Sequence, residues 1–162
     1  MTGKDAIKTS LEATSWLLTN ALNDFTDADL LVRPVPGANH AAWQLGHLIT
    51  SEAGIVQSQL PNAKYPDLPA GFKDAHAMEK AGSDAGFLTK SEYVSLFEKT
   101  RAATLAALAG LTDTDLDMAA TGRMAPMAPT LGAQFILASN HTLMHGSQFS
   151  VIRRKLGKPV LF

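Results

Sequence analysis

The 162-residue sequence contains no cysteine. This absence excludes a disulfide framework, thiolate metal ligands and a cysteine nucleophile. Any metal ion held by side chains is therefore expected to have imidazole or carboxylate ligands. Strand-favouring residues are also scarce, with 6 Val and 5 Ile against 25 Ala and 21 Leu. Because alanine and leucine are strong helix formers, this balance predicts an all-α protein.

Charge of either sign is sparse, since charged residues make up 18% of the chain and 14 basic residues nearly balance 15 acidic ones. A nucleic-acid-binding protein needs a basic face, so no nucleic-acid partner is expected. The sequence also lacks an apolar run of about 20 residues and the plan of a signal peptide, so we expect a cytoplasmic protein with no membrane partner. The charge is uneven, because Asp117 is the last acidic residue and residues 118–162 carry five basic ones.

The eight prolines leave four long proline-free stretches, each able to hold one helix. The predicted helices cover residues 3–25, 40–60, 90–110 and 131–156, and three of them have N-cap candidates in Asn39, Thr89 and Thr130. The long connection 61–89 has room for one short helix near 73–81. These parts predict a single four-helix bundle over residues 1–162. The moderate link between helices 1 and 2 lets them be antiparallel neighbours, and the long connection allows helix 3 to run parallel to helix 2.

His141 and His145 are the sharpest local signal. At positions i and i+4 of a helix, both imidazoles project from one face and can converge on one ion. Two adjacent buried imidazoles cannot both be charged cheaply, so they either share a cation or are satisfied by backbone and water. The residues alone leave both alternatives open. Helix 4 has no carboxylate, and apolar residues on the face of the pair indicate that it points into the core: Leu137, Ala138, Met144, Phe149 and Ile152.

The other three histidines are weaker candidates on pattern alone. His47 is central in helix 2 among small and polar residues, which suit a cavity and a solvated face equally well. His40 shares that side but is two turns, about 10 Å, away, so it is at most a residue of the cavity rim. His76 lies in the long connection and is expected to be an ordinary surface histidine. Three basic residues close helix 4 and are expected to complement the helix dipole in solvent: Arg153, Arg154 and Lys155. The alternative is that they attract an anionic substrate, if the cavity opens nearby.

Two segments together resemble the DinB-like superfamily of bacterial metal-binding four-helix bundles. Residues 43–48 read Trp-Gln-Leu-Gly-His-Leu and match the family's Trp-x-x-Gly-His-Leu. Residues 141–148 read His-Thr-Leu-Met-His-Gly-Ser-Gln and are similar to the family's His-x-x-x-His-x-Gly-Gln, with a small departure after the second histidine. The basic segment that follows contains Leu-Gly-Lys-Pro at 156–159 and is similar to the end of the family's motif. The two segments bracket most of the chain.

The resemblance implies an up-down-down-up bundle with a long crossover between helices 2 and 3. It also implies one divalent ion, commonly zinc or nickel, on three ligands: His47, His141 and His145. Three neutral imidazoles leave a tetrahedral ion one open position, as in catalytic zinc sites. Four further residues are expected to shape the cavity: His40, Trp43, Gln44 and Gln148.

Members of this superfamily include transferases and isomerases that depend on a low-molecular-weight thiol. The resemblance therefore implies a metal-dependent enzyme that activates such a cosubstrate for transfer to an electrophilic small molecule. Two alternatives stay open: metal-assisted hydrolysis with water as the nucleophile, and a non-catalytic bundle that binds a metal or a small ligand. Homodimerisation through helix faces is compatible with the low surface charge.

Overall fold

The computed structural model describes residues 1–161, and Phe162, the last residue of the predicted 1–162 domain, lies outside the described residues. The described residues form no β-strand, and their five α-helices are α1 (Gly3–Leu22), α2 (Ala41–Gln59), α3 (Phe72–Ala75), α4 (Lys90–Ala109) and α5 (Leu131–Lys155). The all-α prediction is confirmed, and α1, α2, α4 and α5 are the four predicted long helices. None of the described helices combines the length and apolar character needed to cross a membrane.

Two of the predicted helix starts have the expected side-chain caps. The Thr89 hydroxyl accepts a hydrogen bond from the backbone N–H of Glu92, and the Glu92 carboxylate accepts one from the backbone N–H of Thr89. This is a complete capping box for α4. At α5, the Thr130 hydroxyl accepts from the backbone N–H of Ala133. Both boundaries follow from local chemistry that is visible in the sequence.

The prediction that Asn39 caps α2 is wrong, because His40 is the cap. The Nδ1 atom of His40 accepts a hydrogen bond from the backbone N–H of Trp43 at 3.1 Å. Its Nε2 atom therefore carries the proton and donates to the carbonyl of Ser83 at 2.9 Å. The side chain is fully buried. His40 consequently joins the start of α2 to the chain that leads into α4 and does not lie at a cavity rim.

Contacts along the helices establish that the bundle is up-down-down-up. Helix α1 runs antiparallel to α4, since Lys4 reaches the carbonyl of Ala109 and Lys90 reaches that of Asn23. Helix α5 runs parallel to α1, as the contacts Ser10–Ser139 and Arg153–Ala21 show. Helix α2 is antiparallel to α5, as the contacts Gln44–His145 and Gln59–Thr121 show. The link would allow α1 and α2 to be neighbours, but they are not: both pack against α4 and α5, and they lie on a diagonal of the bundle.

The crossover, residues 60–89, runs back along the bundle between α2 and α4 and is anchored by His76. This residue is 3% exposed, so the expectation of a surface histidine is wrong. Its Nδ1 atom donates to the carbonyl of Phe72, and its Nε2 atom accepts from the Tyr93 hydroxyl, both at 2.7 Å. The ring lies so close to Gly46 that a Cβ atom there would be 2.0 Å from it. The predicted short helix near 73–81 is divided into α3 and a 3-10 turn at Met78–Lys80.

The basic end of α5 is only partly solvent-exposed. Arg154 and Lys155 are exposed, as expected, but Arg153 is 2% exposed. The Arg153 guanidinium donates to the carbonyl of Ala21 at 2.9 Å and pairs with the carboxylate of Asp24, whose pKa it lowers. The expectation of a solvated Arg153 is therefore wrong, because tertiary contacts with the end of α1 bury it.

A buried ion pair occupies the middle of the bundle. Arg101 of α4 is 2% exposed, and its Nε and Nη2 atoms donate to the two carboxylate oxygens of Glu52 on α2 at 2.9 and 2.8 Å. Its remaining donors reach the carbonyl of Leu11 and the hydroxyl of Thr14 on α1, and the hydroxyl of Thr142 on α5. All four long helices thus contribute to one polar layer. This layer separates two apolar clusters, one toward each end of the bundle.

We expect Arg101→Met to destabilise the protein by about 3–5 kcal/mol, because it leaves the Glu52 carboxylate buried without a partner. The measurement is urea denaturation at neutral pH. Arg154→Met, at an exposed position on α5, is the matched control and should change the free energy of unfolding by less than about 0.5 kcal/mol. Equal effects of the two substitutions would contradict the role assigned to the ion pair.

Candidate metal centre

The antiparallel packing of α2 against α5 brings three histidines together. His47 comes from the first half of α2, and His141 and His145 come from successive turns of α5. His47 and His141 are half-buried, and His145 is 6% exposed. Among the described residues this is the one group of three or more histidine, aspartate or glutamate side chains whose geometry suits a metal ion. We call it the histidine triad.

The spacing of the ring nitrogens fits a shared ion. The Nε2 atoms of His141 and His145 are 3.2 Å apart. Two imidazoles on a tetrahedral zinc ion, each at about 2.0–2.1 Å, place their nitrogens about 3.3 Å apart. The third ligand atom, from His47, completes a set in which all atoms lie within 4.8 Å of one another.

Gln44 orients His145 for this role. The Nδ1–H of His145 donates to the Oε1 atom of Gln44 at 2.9 Å. The amide of Gln44 is itself held, because its Nε2 donates to the carbonyl of Asn39 at 2.8 Å. Protonation at Nδ1 leaves the lone pair of Nε2 free to face the other two histidines. Such an outer partner fixes the tautomer and ring orientation of a metal ligand.

Trp43 supports His47 from one turn earlier in α2. The two rings are stacked, with centroids 4.9 Å apart and an interplanar angle of 8°. The indole N–H of Trp43 donates to the carbonyl of Ala77 at 3.1 Å. Since Ala77 belongs to the crossover, this segment indirectly positions a candidate ligand. Sequence reasoning could not have identified this contact, which joins residues 34 positions apart.

The environment keeps the triad neutral at physiological pH. Burial lowers the pKa of His141 to about 4, and the neighbouring His47 lowers it further in the same direction. Burial, then the proximity of His141 and His47, lowers the pKa of His145 to about 3. The pKa of His47 is also lowered by burial. Neutral imidazoles can bind a metal ion without first losing a proton, so proton competition is weak here.

A pocket of about 530 Å³ lies beside the triad, and His47 and His141 form part of its wall. We call it the histidine pocket. The remaining wall comes from α2, α5 and the connection between α4 and α5, and consists of Ser51, Gly54, Ile55, Ser58, Arg123, Met124, Met127, Leu137, Asn140 and Met144. Its volume is in the range of small-molecule sites. Sequence reasoning missed residues 123–127, because a connection carries no periodic signal that points to its contacts.

None of the four residues predicted to shape the cavity lines the histidine pocket, and the four have different surroundings. Trp43 and Gln44 contact the triad, although neither lines the histidine pocket. His40 is the buried cap of α2 and packs edge-on against Phe87. Gln148 is exposed on α5 and does not line the pocket. The sequence predicts Met144 on the core face of helix 4, but it is 52% exposed and lines the pocket.

Comparison with known proteins agrees with this geometry. A family model described as the DinB superfamily matches residues 10–149. The chain belongs to the DinB superfamily. A conserved protein of Enterococcus faecalis has a similar crystal structure, with a TM-score of 0.75 and 18% sequence identity over 98% of this chain and 99% of the other. That similarity shows that the two proteins share a fold. The search of curated proteins found no significant match.

The buried histidines predict how stability depends on pH. Folding lowers the pKa of all five histidines, which are His40, His47, His76, His141 and His145. Between pH 5 and 6.5 the unfolded chain therefore binds more protons than the folded one. The free energy of unfolding of the metal-free protein should therefore fall as pH decreases from 7 to 5, by up to about 1.4 kcal/mol per pH unit for each group. Urea denaturation in the presence of a chelator measures this dependence. His145→Gln should give a shallower slope, and an unchanged slope would contradict the prediction.

Gln44 is expected to control metal affinity without touching the ion. Gln44→Met preserves size but removes the acceptor for His145, so zinc affinity should fall by about 10- to 100-fold. Gln44→Glu retains an acceptor and serves as the control, with affinity at or above that of the unsubstituted protein. Competition with a chromogenic chelator measures both. Unchanged affinity in Gln44→Met would show that the hydrogen bond does not orient the ligand.

Proposed function

We propose that this protein is a divalent-metal-dependent enzyme that activates a low-molecular-weight thiol for transfer to an electrophilic small molecule. The observation that carries the proposal is the histidine triad: three neutral imidazoles without a carboxylate, two of which line a pocket of small-molecule size. Three protein ligands are typical of catalytic zinc sites, which keep an open position, whereas structural sites have four. Membership of the DinB superfamily supports a metal at this position.

His47, His141 and His145 would hold the ion, and zinc or nickel suits an all-imidazole ligand set. Such an ion supplies Lewis acidity, which favours ionisation of a bound thiol at neutral pH. Gln44 and Trp43 would maintain the orientation of the ligand rings through the contacts described above. The chain has no cysteine, so the reacting sulfur must come from a cosubstrate.

The proposed transfer needs no side-chain base. A bond forms between the cosubstrate sulfur and the electrophilic carbon, and the leaving group departs with the electrons of the broken bond. The thiol proton passes to solvent, because the described pocket wall offers no carboxylate and its two imidazoles are committed as ligands. The apolar walls around Ile55, Leu137 and Met124 would hold the apolar parts of the reactants and limit access of water.

Metal analysis tests the first part of the proposal. The purified protein should contain one divalent ion per chain, and His47→Ala and His145→Ala should each lose stoichiometric binding. Arg154→Ala, on the exposed surface of α5, is the control and should retain the metal. A metal-free wild-type protein that also binds no added zinc or nickel would overturn the proposal.

Turnover of a panel of electrophiles with and without added thiols tests the second part. Thiol-dependent turnover that stops on chelation and returns with the metal is the expected result. Thiol-independent hydrolysis would instead favour a water nucleophile at the same triad. A stoichiometric metal without turnover under either condition would leave a metal-binding bundle with no catalytic role.

A further inference from the structure

Arg123 gives the histidine pocket an unbalanced positive charge. It enters the pocket wall from the connection between α4 and α5, and no aspartate or glutamate is part of the described wall. Among the described residues the Arg123 side chain has no hydrogen bond or ion pair, whereas Arg33 and Arg153 are each engaged by a carboxylate. A guanidinium carries donors in a fork that matches a carboxylate in shape. Arg123 is exposed and therefore places an unused anion-binding group in the wall of the pocket, at its solvent side.

A divalent ion on the histidine triad would add to this positive charge, and the triad itself cannot neutralise it. Three neutral imidazoles leave the full charge of a divalent ion in place, because none of them is an anion. The buried acid of α2, Glu52, is not free to compensate, since both its oxygens accept hydrogen bonds from Arg101. A loaded pocket would thus have two cationic positions and no negative side chain in its described wall. Electrostatic complementarity favours a negatively charged occupant.

The rest of the pocket wall is largely apolar. Ile55 projects from α2, Leu137 and Met144 project from α5, and Met124 and Met127 come from the connection that also carries Arg123. Unbranched methionine side chains adapt to ligands of different shape. This arrangement suits a molecule with a hydrocarbon or aromatic body and an acidic group, and it disfavours sugars and other fully polar ligands.

We propose that the histidine pocket selects a small organic acid: its carboxylate pairs with Arg123, its apolar body lies on the methionine-rich wall, and its other end faces the triad. This inference rests on the proposed function, because it takes the triad to be the metal-binding end. It adds the substrate class and a specificity-determining residue, Arg123, that the motifs of the sequence do not include.

Binding of ω-mercaptoalkanoic acids to the zinc-loaded protein tests this inference. Isothermal titration is carried out with a series of chain lengths, and each acid is compared with the ω-mercaptoalkanol of the same length. We expect the acid to bind more tightly than the alcohol at the lengths that span the pocket, by roughly threefold to tenfold, as for a partly exposed charge-assisted pair. Arg123→Gln should abolish this preference, and Arg123→Lys should retain part of it.

Arg154→Gln is the matched control, because it removes the same charge from an exposed site on α5 outside the pocket. It should leave the preference for the acid unchanged. A preference that survives in Arg123→Gln, or that is lost equally in Arg154→Gln, would overturn the role of Arg123. Zinc content is measured first: absence of zinc would overturn the proposed function together with this inference, whereas zinc with equal binding of acid and alcohol would overturn this inference alone.

Discussion

The buried Arg101–Glu52 pair is the interaction on which the arrangement of the bundle depends. A guanidinium in the centre of a protein needs partners for all its donors, and here they come from α1, α2 and α5 as well as from the aromatic ring of Phe97 beneath it. Because the penalty for an unpaired buried charge is several kcal/mol, alternative registers of the four helices are disfavoured. The same register aligns the triad, since Thr142 is adjacent to His141 and Glu52 follows His47 by five residues.

The crossover contributes a second constraint, which acts on α2 alone. His76 covers Gly46, and the carbonyls of Ser83 and Ala77 bind the side chains of His40 and Trp43. These contacts hold the first two turns of α2, where Trp43 and Gln44 in turn orient two candidate ligands. A glycine next to His47 thus has a structural reason: any side chain at position 46 would displace the ring that anchors the crossover. The long connection is therefore part of the support of the site.

The charged groups in the middle of the bundle are balanced, and those of the histidine pocket are not. Arg101 and Glu52 neutralise each other in the middle of the bundle, whereas the histidine pocket has an arginine and a candidate cation site without a described acid. A chain with a net charge of −1 can thus have a pocket whose described wall contains one arginine and no acid. The specificity inferred for the pocket depends on the location of individual charges, and the total charge is uninformative about it.

The four long helices, two of their N-terminal caps and the pairing of His141 with His145 could be predicted from the sequence, because periodicity, capping and i to i+4 spacing are local properties of a chain. With the family motifs the sequence also indicated His47. Three features became known from the fold alone: α1 and α2 lie on a diagonal, His76 and Arg153 are buried, and Arg123 lines the same pocket as His47 and His141. Each of these depends on contacts between residues far apart in the chain, and the free energy of such contacts is set by burial and by the partners available, neither of which can be read from the residue alone.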